Sequence, residues 1–179
     1  ATIMYGHIDS PKEWAAHLDI LRQIQVETGG FTEFVPLSFV HYDSPLYLEN
    51  PSEVRPGATE NEIELMHAVS RIILSGFIDN IQVSWTKLGP QKARNLLSMG
   101  VNDLGGTLMN ESISRSAGSK NGQEITEAEM IKIIRSASKI PIRRDTLYRE
   151  IKSYNLKDTV NTTDPLVSRN GTNPLSFLN

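Results

Sequence analysis

Cysteine is absent from all 179 residues. That excludes disulfides, cysteine-ligated zinc, iron–sulfur ligation and a cysteine nucleophile within this stretch. An excess of one charge is missing too. Eighteen Lys and Arg against 21 Asp and Glu leave a formal charge of -3, without the basic stripe that nucleic acid or an anionic membrane surface would favour. No apolar run approaches the roughly 18 residues of a membrane span. No basic segment followed by an apolar one opens the chain as a secretory signal would, so a cytoplasmic location is the expectation. Histidine is scarce: His7, His17, His41 and His67 show no His-x-x-x-His spacing, so a histidine metal site is not expected.

What is present is an alternation of strand and helix signals. Thr2-Ile-Met-Tyr-Gly6 is a short apolar run that feeds the capping box Ser10-Pro-Lys-Glu13. Trp14, Leu18, Leu21 and Ile24 then give one apolar helix face, closed by Gly29-Gly30. Phe31 to Val40 has the composition of a strand buried on both faces, with Pro36 predicting that it is short or bulged. A long connection, His41 to Gly57, leads to a second capping box at Thr59–Glu62 and a helix closed by Gly76. Asn80 to Trp85 alternates as a third strand, Gly89-Pro90 opens a short helix through Leu97, and Val101 to Leu104 is a fourth strand ending on Gly105-Gly106. After a loop of about twenty residues, Thr126–Glu129 caps a further helix that Pro141 stops, and Asp145 is expected to cap a short helix over Thr146 to Ser153. From Leu156 the tail is polar and expected to be poorly ordered, giving one unit over 1–155 and a tail over 156–179.

Serial βα units predict an α/β fold with a parallel sheet. Two architectures fit, an open doubly wound sheet and part of a (β/α)8 barrel; the missing glycine-rich phosphate fingerprint disfavours the dinucleotide-binding version. In both, function sits at the C-terminal ends of the strands. This selects Tyr5 to Asp9; His41 to Asp43; Gln82, Ser84, Trp85 and Lys87; and Asn102, Asp103, Asn110, Glu111 and Arg115. Polar residues such as Gln82, Ser84 and Asn102 in otherwise buried strands need partners, which a bound polar ligand can supply. Plainer readings stand beside these. Loop histidines are more often solvated than catalytic, Asp103 can bond loop amides, Glu111 and Arg115 can form an ordinary helix-surface pair, and Gly105-Gly106 can be only a turn.

Longer runs carry a resemblance. Ala1-Thr-Ile-Met-Tyr-Gly-His7, Glu27-Thr-Gly-Gly-Phe-Thr-Glu-Phe-Val-Pro-Leu-Ser-Phe-Val-His41, Asn80-Ile-Gln-Val-Ser-Trp85 and Asn102-Asp-Leu-Gly-Gly-Thr-Leu-Met-Asn-Glu-Ser-Ile-Ser-Arg115 resemble the C-terminal half of a radical S-adenosylmethionine enzyme, specifically the tyrosine-using subunit of FO synthase in coenzyme F420 biosynthesis. The resemblance implies the C-terminal half of a TIM-type (β/α)8 barrel, strands five to eight, within a transferase. In that family a [4Fe-4S] cluster cleaves S-adenosylmethionine to a radical, and the 4-hydroxybenzyl fragment of L-tyrosine is joined to 5-amino-6-(D-ribitylamino)uracil. A companion radical subunit or domain then closes the deazaflavin ring. The family pattern Gly-x-Ile-x-Gly-x-x-Glu at the fifth strand aligns with Thr2 to Asp9: Gly6 matches, Met4 is an apolar substitute, Asp9 is a shorter carboxylate and Thr2 departs. It implies Met4, Tyr5, Gly6 and Asp9 on the adenine side of S-adenosylmethionine. His7, His41, Gln82, Ser84, Trp85, Asn102, Asp103, Asn110, Glu111 and Arg115 are the substrate-binding candidates; no catalytic residue is assigned.

The cluster motif Cys-x-x-x-Cys-x-x-Cys is not in this sequence, so the expectation is a fragment, inactive alone. Exposed strand edges predict pairing with a missing N-terminal half or with a second copy. A menaquinone-pathway relative (aminofutalosine synthase or dehypoxanthine futalosine cyclase) and an inactive binding or assembly fragment are the alternative readings.

Overall fold

A computed structural model describes residues 1–108, 110–121 and 124–155; the expected tail over 156–179 lies outside the described residues. The fold is α/β. Strand β1 (Thr2–Tyr5) leads into α1 (Pro11–Thr28), and β2 (Val35–Ser38) pairs parallel to β1 with Ile3 opposite Pro36 and Tyr5 opposite Ser38. Helices α2 (Pro45–Glu49) and α3 (Glu60–Leu74) follow, then a third extended segment that meets Phe34 at Ile81, and a fourth in which Asp103 lies beside Gln82. Both contacts are parallel, so four extended segments lie side by side in chain order. Between the third and fourth come α4 (Trp85–Leu88) and α5 (Pro90–Leu96); beyond the fourth are α6 (Ile113–Ser116) and α7 (Glu127–Ser136). No helix among the described residues is long and apolar enough to cross a membrane.

The capping boxes form as the sequence dictates. The Glu62 carboxylate accepts the Thr59 N–H at 2.8 Å, Glu129 accepts the Thr126 N–H at 2.9 Å, and Glu13 accepts the Ser10 N–H at 2.7 Å. Gly29 closes α1 in the left-handed conformation, φ 59°, its N–H on the Gln25 carbonyl. One sheet face is dry: Ile3, Tyr5, Phe34, Ile81 and Val83 pack with Trp14 and Leu18 of α1 and Ile63 and Met66 of α3. On the other face of β1, Thr2 and Met4 are exposed.

Pro36 explains why the ladder is so short. Phe34 donates to the Asn80 carbonyl at 2.9 Å and Gln82 donates to the Phe34 carbonyl at 3.0 Å. The next donor in that parallel row would be residue 36, and proline has no N–H to give. The pairing between β2 and the third segment therefore stops at one bridge. The chain then turns: the Trp85 N–H reaches back to the Val83 carbonyl, and Trp85, expected at a strand end, is the first residue of α4.

One element differs in kind. Residues 146–153 do not form a helix; Ile142–Arg144 (β3) and Glu150–Ser153 (β4) make an antiparallel hairpin. Asp145 still caps, but it caps the turn, its Oδ1 accepting the N–H groups of Leu147 at 2.8 Å and Arg149 at 3.0 Å. Long-range polar contacts decide the outcome. Arg144 pairs with Asp103 on the fourth segment, the Tyr148 hydroxyl donates to Glu33 just before β2, and the Arg144 guanidinium lies 4.0 Å from the Tyr148 ring centre. Local propensity loses to tertiary contacts.

Candidate functional site

Three polar clusters occupy the C-terminal ends of the extended segments. The first follows β1. Gly6 has φ 87°, and a Cβ there would lie 2.5 Å from the Ala58 backbone nitrogen, so only glycine fits the approach of the following connection. Asp9 folds back over this turn. Its Oδ1 accepts the Gly6 and His7 N–H groups, both at 3.1 Å, and lies 2.6 Å from His7 Nδ1. The His7 ring packs tilted against Phe39, 5.6 Å between centres. The Arg55 N–H donates to the His7 carbonyl at 2.8 Å, and its guanidinium pairs with Glu62 at 2.5 Å. That contact holds the Glu62 carboxyl below the usual carboxylate range. Of the expected adenine-side residues, Met4 is exposed, whereas Tyr5 points the other way. Its side chain is fully buried, edge-on to Trp14 at 5.3 Å, and burial pushes its phenol well above the usual tyrosine range.

The second cluster is a cleft of about 270 Å³ between the third and fourth segments. Gln82, Ser84, Trp85 and Thr86 form one wall; Leu104, Gly105 and Leu108 form the other. The Trp85 indole N–H donates to the Gly106 carbonyl at 3.0 Å, fixing the glycine turn to α4. Gly105 has φ 77°, and a Cβ on it would lie 2.7 Å from Gln82 Nε2, so the Gln82 amide lies directly over a backbone that only glycine leaves open. Ser84 and Thr86 share a hydrogen bond at 3.3 Å. Asp103 is committed within the protein: one oxygen accepts the Gly105 N–H at 2.6 Å and the other holds Arg144. Asn102 is also committed, and lies away from the cleft. Its Oδ1 accepts from the Ile81 N–H at 2.8 Å and from Arg71 at 2.7 Å, and its Nδ2 donates to the Asp79 carbonyl at 3.1 Å.

The third cluster joins α4 to the long loop. Lys87 Nζ donates to the buried Ser114 hydroxyl at 3.1 Å, and burial holds the ammonium below the usual lysine range. Glu111 accepts the Ser114 N–H at 3.0 Å, so it caps α6 where a surface pair with Arg115 was the plainer expectation. Arg115 instead reaches Asn110, whose own φ is 54°. The loop is tied down by Ser119 on the Thr86 carbonyl at 2.9 Å and Asn121 on the Lys87 carbonyl at 2.6 Å. His41 stands apart from the cleft in an aromatic group, 4.2 Å from the Tyr42 ring and 5.0 Å from Tyr47.

The structure thus brings Gln82, Ser84 and Trp85 together, gathers Asn110, Glu111 and Arg115 next to Lys87, and keeps Gly6, His7 and Asp9 as a separate turn. Arg144, Tyr148 and Glu33 are the polar residues that sequence reasoning missed. Arg144 stands in the charged run Arg143-Arg144-Asp145, but no local signal marks Glu33 or Tyr148 as its neighbours. Among the described residues no group of three or more His, Asp or Glu side chains is placed to hold a metal ion. With no cysteine, this chain does not fit a [4Fe-4S] cluster as its ligand.

The chain is 51% identical over 153 residues to the 5-amino-6-(D-ribitylamino)uracil–L-tyrosine 4-hydroxyphenyl transferase of Methanopyrus kandleri, covering 86% of this chain and 41% of that protein. It is 51% identical over 151 residues to the protein of the same name from Methanothermobacter thermautotrophicus. It is 52% identical over 148 residues to the FO synthase of Mycobacterium leprae, covering 83% of this chain and 17% of that protein. The chain therefore spans less than half the length of these relatives. The family model described as the CofH/MqnC C-terminal region matches residues 28–157, and the chain belongs to that family.

Proposed function

We propose that this chain is the C-terminal part of a radical S-adenosylmethionine transferase that joins the 4-hydroxybenzyl fragment of L-tyrosine to 5-amino-6-(D-ribitylamino)uracil. The observation that carries the reading is the 51% identity over 153 residues to a transferase whose name states both substrates. Four extended segments, parallel and adjacent in chain order with helices between them, support one half of a (β/α)8 barrel. The clusters described above fall at the strand ends where such barrels carry their chemistry. On this reading the cluster ligands would belong to sequence outside this chain, and the bound cluster and S-adenosylmethionine would supply radical chemistry. What this chain contributes is positioning. Exposed Met4 beside the Gly6 turn offers an apolar surface to a flat ring, and Leu108 on the wall of the cleft offers a second.

Anaerobic assay of the full-length protein that carries this region tests the proposal. Tyrosine and ribitylaminouracil together are expected to give the coupled product. Turnover of a futalosine-type precursor instead would assign the protein to the menaquinone branch, and turnover of neither would refute both.

A further inference from the structure

Hydrogen-bond accounting singles out one side chain of the cleft. Asn102 and Asp103 spend their capacity on Arg71, Arg144 and backbone groups, and Ser84 bonds Thr86. The Gln82 amide alone of this group has no hydrogen-bond partner among the described residues. It lies on the wall of the cleft, over Gly105, with Trp85 and Leu108 as apolar neighbours. Half-buried on an open cleft wall, this amide keeps its donors and acceptor available for a ligand that replaces water there, and a ligand that failed to match them would leave the amide unpaired once water is excluded.

A primary amide presents one acceptor and two donors in a plane. That is the complement of a cis-imide, a ring N–H flanked by carbonyls. Tyrosine asks for something else, since its ammonium and carboxylate call for opposite charges or arrays of backbone amides. Of the two proposed substrates only the uracil carries an imide edge. The walls suit a flat ring as well: the glycine turn admits close approach, and the exposed Leu108 side chain supplies apolar contact.

We infer that Gln82 reads the imide edge of the uracil ring, with the ring seated in the cleft between Trp85 and the Gly105–Gly106 turn. The inference rests on the transferase reading above and deepens it by assigning this cleft to the uracil substrate, which leaves tyrosine to bind elsewhere. The Gln82 side chain is then a specificity-determining group. Its amide oxygen accepts from the ring N3–H, and its nitrogen donates to the adjacent ring carbonyl.

Anaerobic calorimetric titration of the full-length protein with 5-amino-6-(D-ribitylamino)uracil and with its N3-methyl counterpart tests this. The wild type is expected to bind the unmethylated ring at least about tenfold more tightly, since methylation removes the donor and leaves the amide oxygen unpaired. Gln82→Leu is expected to weaken the unmethylated ring by about tenfold or more and to abolish the preference, whereas Gln82→Glu, which loses the donor but keeps an acceptor for N3–H, is expected to weaken the ring while retaining a preference; tyrosine affinity is unchanged in both. A preference that survives in Gln82→Leu, a wild type indifferent to methylation, or an equal loss of tyrosine affinity overturns the inference. A wild type that binds neither uracil overturns the transferase reading with it. Binding that ignores methylation overturns the assignment of Gln82 alone.

Discussion

Replacing Arg144 by glutamine removes the cation that joins the C-terminal hairpin to the sheet. In the structure its Nε pairs with Asp103 Oδ2, side chains 24% and 10% exposed, and Nη1 donates to the Asp145 carbonyl at 3.0 Å. The guanidinium also stacks 4.0 Å from the Tyr148 ring, whose hydroxyl bonds Glu33. Breaking a fully buried ion pair costs about 3–5 kcal/mol, whereas an exposed one is worth about 0–1. This pair lies between those limits, and about 0.5–1 kcal/mol of cation–π contact is lost with it. We therefore expect Arg144→Gln to cost about 2–3 kcal/mol, and a lowering of the melting temperature by about 4–12 °C follows for a domain of this size. Arg144→Lys keeps the charge but not the planar stack, and should recover part of the loss. Circular-dichroism melts of Arg144→Gln, Tyr148→Phe and the double variant read the coupling directly. Residues in one network couple by about 0.5 kcal/mol or more. A melting temperature within about 1 °C of wild type for Arg144→Gln, or strictly additive single variants, would refute the strut.

Other perturbations test separate parts of the structure. Gly105→Ala places a methyl 2.7 Å from Gln82 Nε2 on a backbone at φ 77°, so a loss of about 1–2 kcal/mol is expected in denaturant titration, together with weaker uracil binding. Tyr5→Phe removes a buried hydroxyl that has no hydrogen-bond partner among the described residues; stability should be unchanged or raised by up to about 1 kcal/mol, and a drop in melting temperature would show that the hydroxyl is paired. The Glu62 carboxyl, held below its usual range first by the Arg55 hydrogen bond, is a group with a depressed folded-state pKa. Its contribution is complete above the ordinary glutamate value of about 4.3 and is lost as pH falls through the lower folded value. Melts between about pH 5 and 3 should therefore show a steeper decline for wild type than for Glu62→Gln, and equal slopes would remove Glu62 from the acid response.

The helices were legible because their signals are local. The three Ser/Thr-x-x-Glu boxes cap α1, α3 and α7, and Trp14, Leu18 and Leu21 are buried on the face that their spacing marks. The extended segments were legible in position but not in extent. Pro36 announced a defect, yet which neighbour loses the bond depends on which way residue 36 would have pointed, and only the Phe34–Ile81 register fixes that. The hairpin was misread as a helix because Asp145 is an equally good cap for a turn, and what decides between them, Glu33 and Asp103, lies far away in sequence. For the candidate site, the strand-end rule picked out Gln82, Ser84 and Trp85, which do meet in one cleft. It could not tell which polar side chains the protein satisfies itself. Asn102 and Gln82 look alike in the sequence, each a polar residue in an apolar run. In the fold the first is saturated by Asp79, Ile81 and Arg71, and the second is not.

That difference ties the architecture to the site. Because proline at position 36 cannot continue the ladder past the Phe34–Ile81 bridge, the third segment is free to leave the sheet after Val83 and turn into α4. The turn carries the Trp85 indole to the Gly106 carbonyl, and this bond holds the glycine turn against α4. From the other side the Asp103 carboxylate holds the same turn through the Gly105 N–H, and Arg144 of the hairpin anchors that carboxylate. The cleft is thus braced at both glycines by groups that do not depend on a ligand, and Gln82 is left between them with its amide unspent. Preorganisation of this kind keeps the cost of binding low, because the walls do not have to be ordered when the ligand arrives. If the bracing is the point of the hairpin, Arg144→Gln should weaken uracil binding more than tyrosine binding at temperatures well below its own melting transition. An equal effect on both would make the hairpin a stabilising element and nothing more.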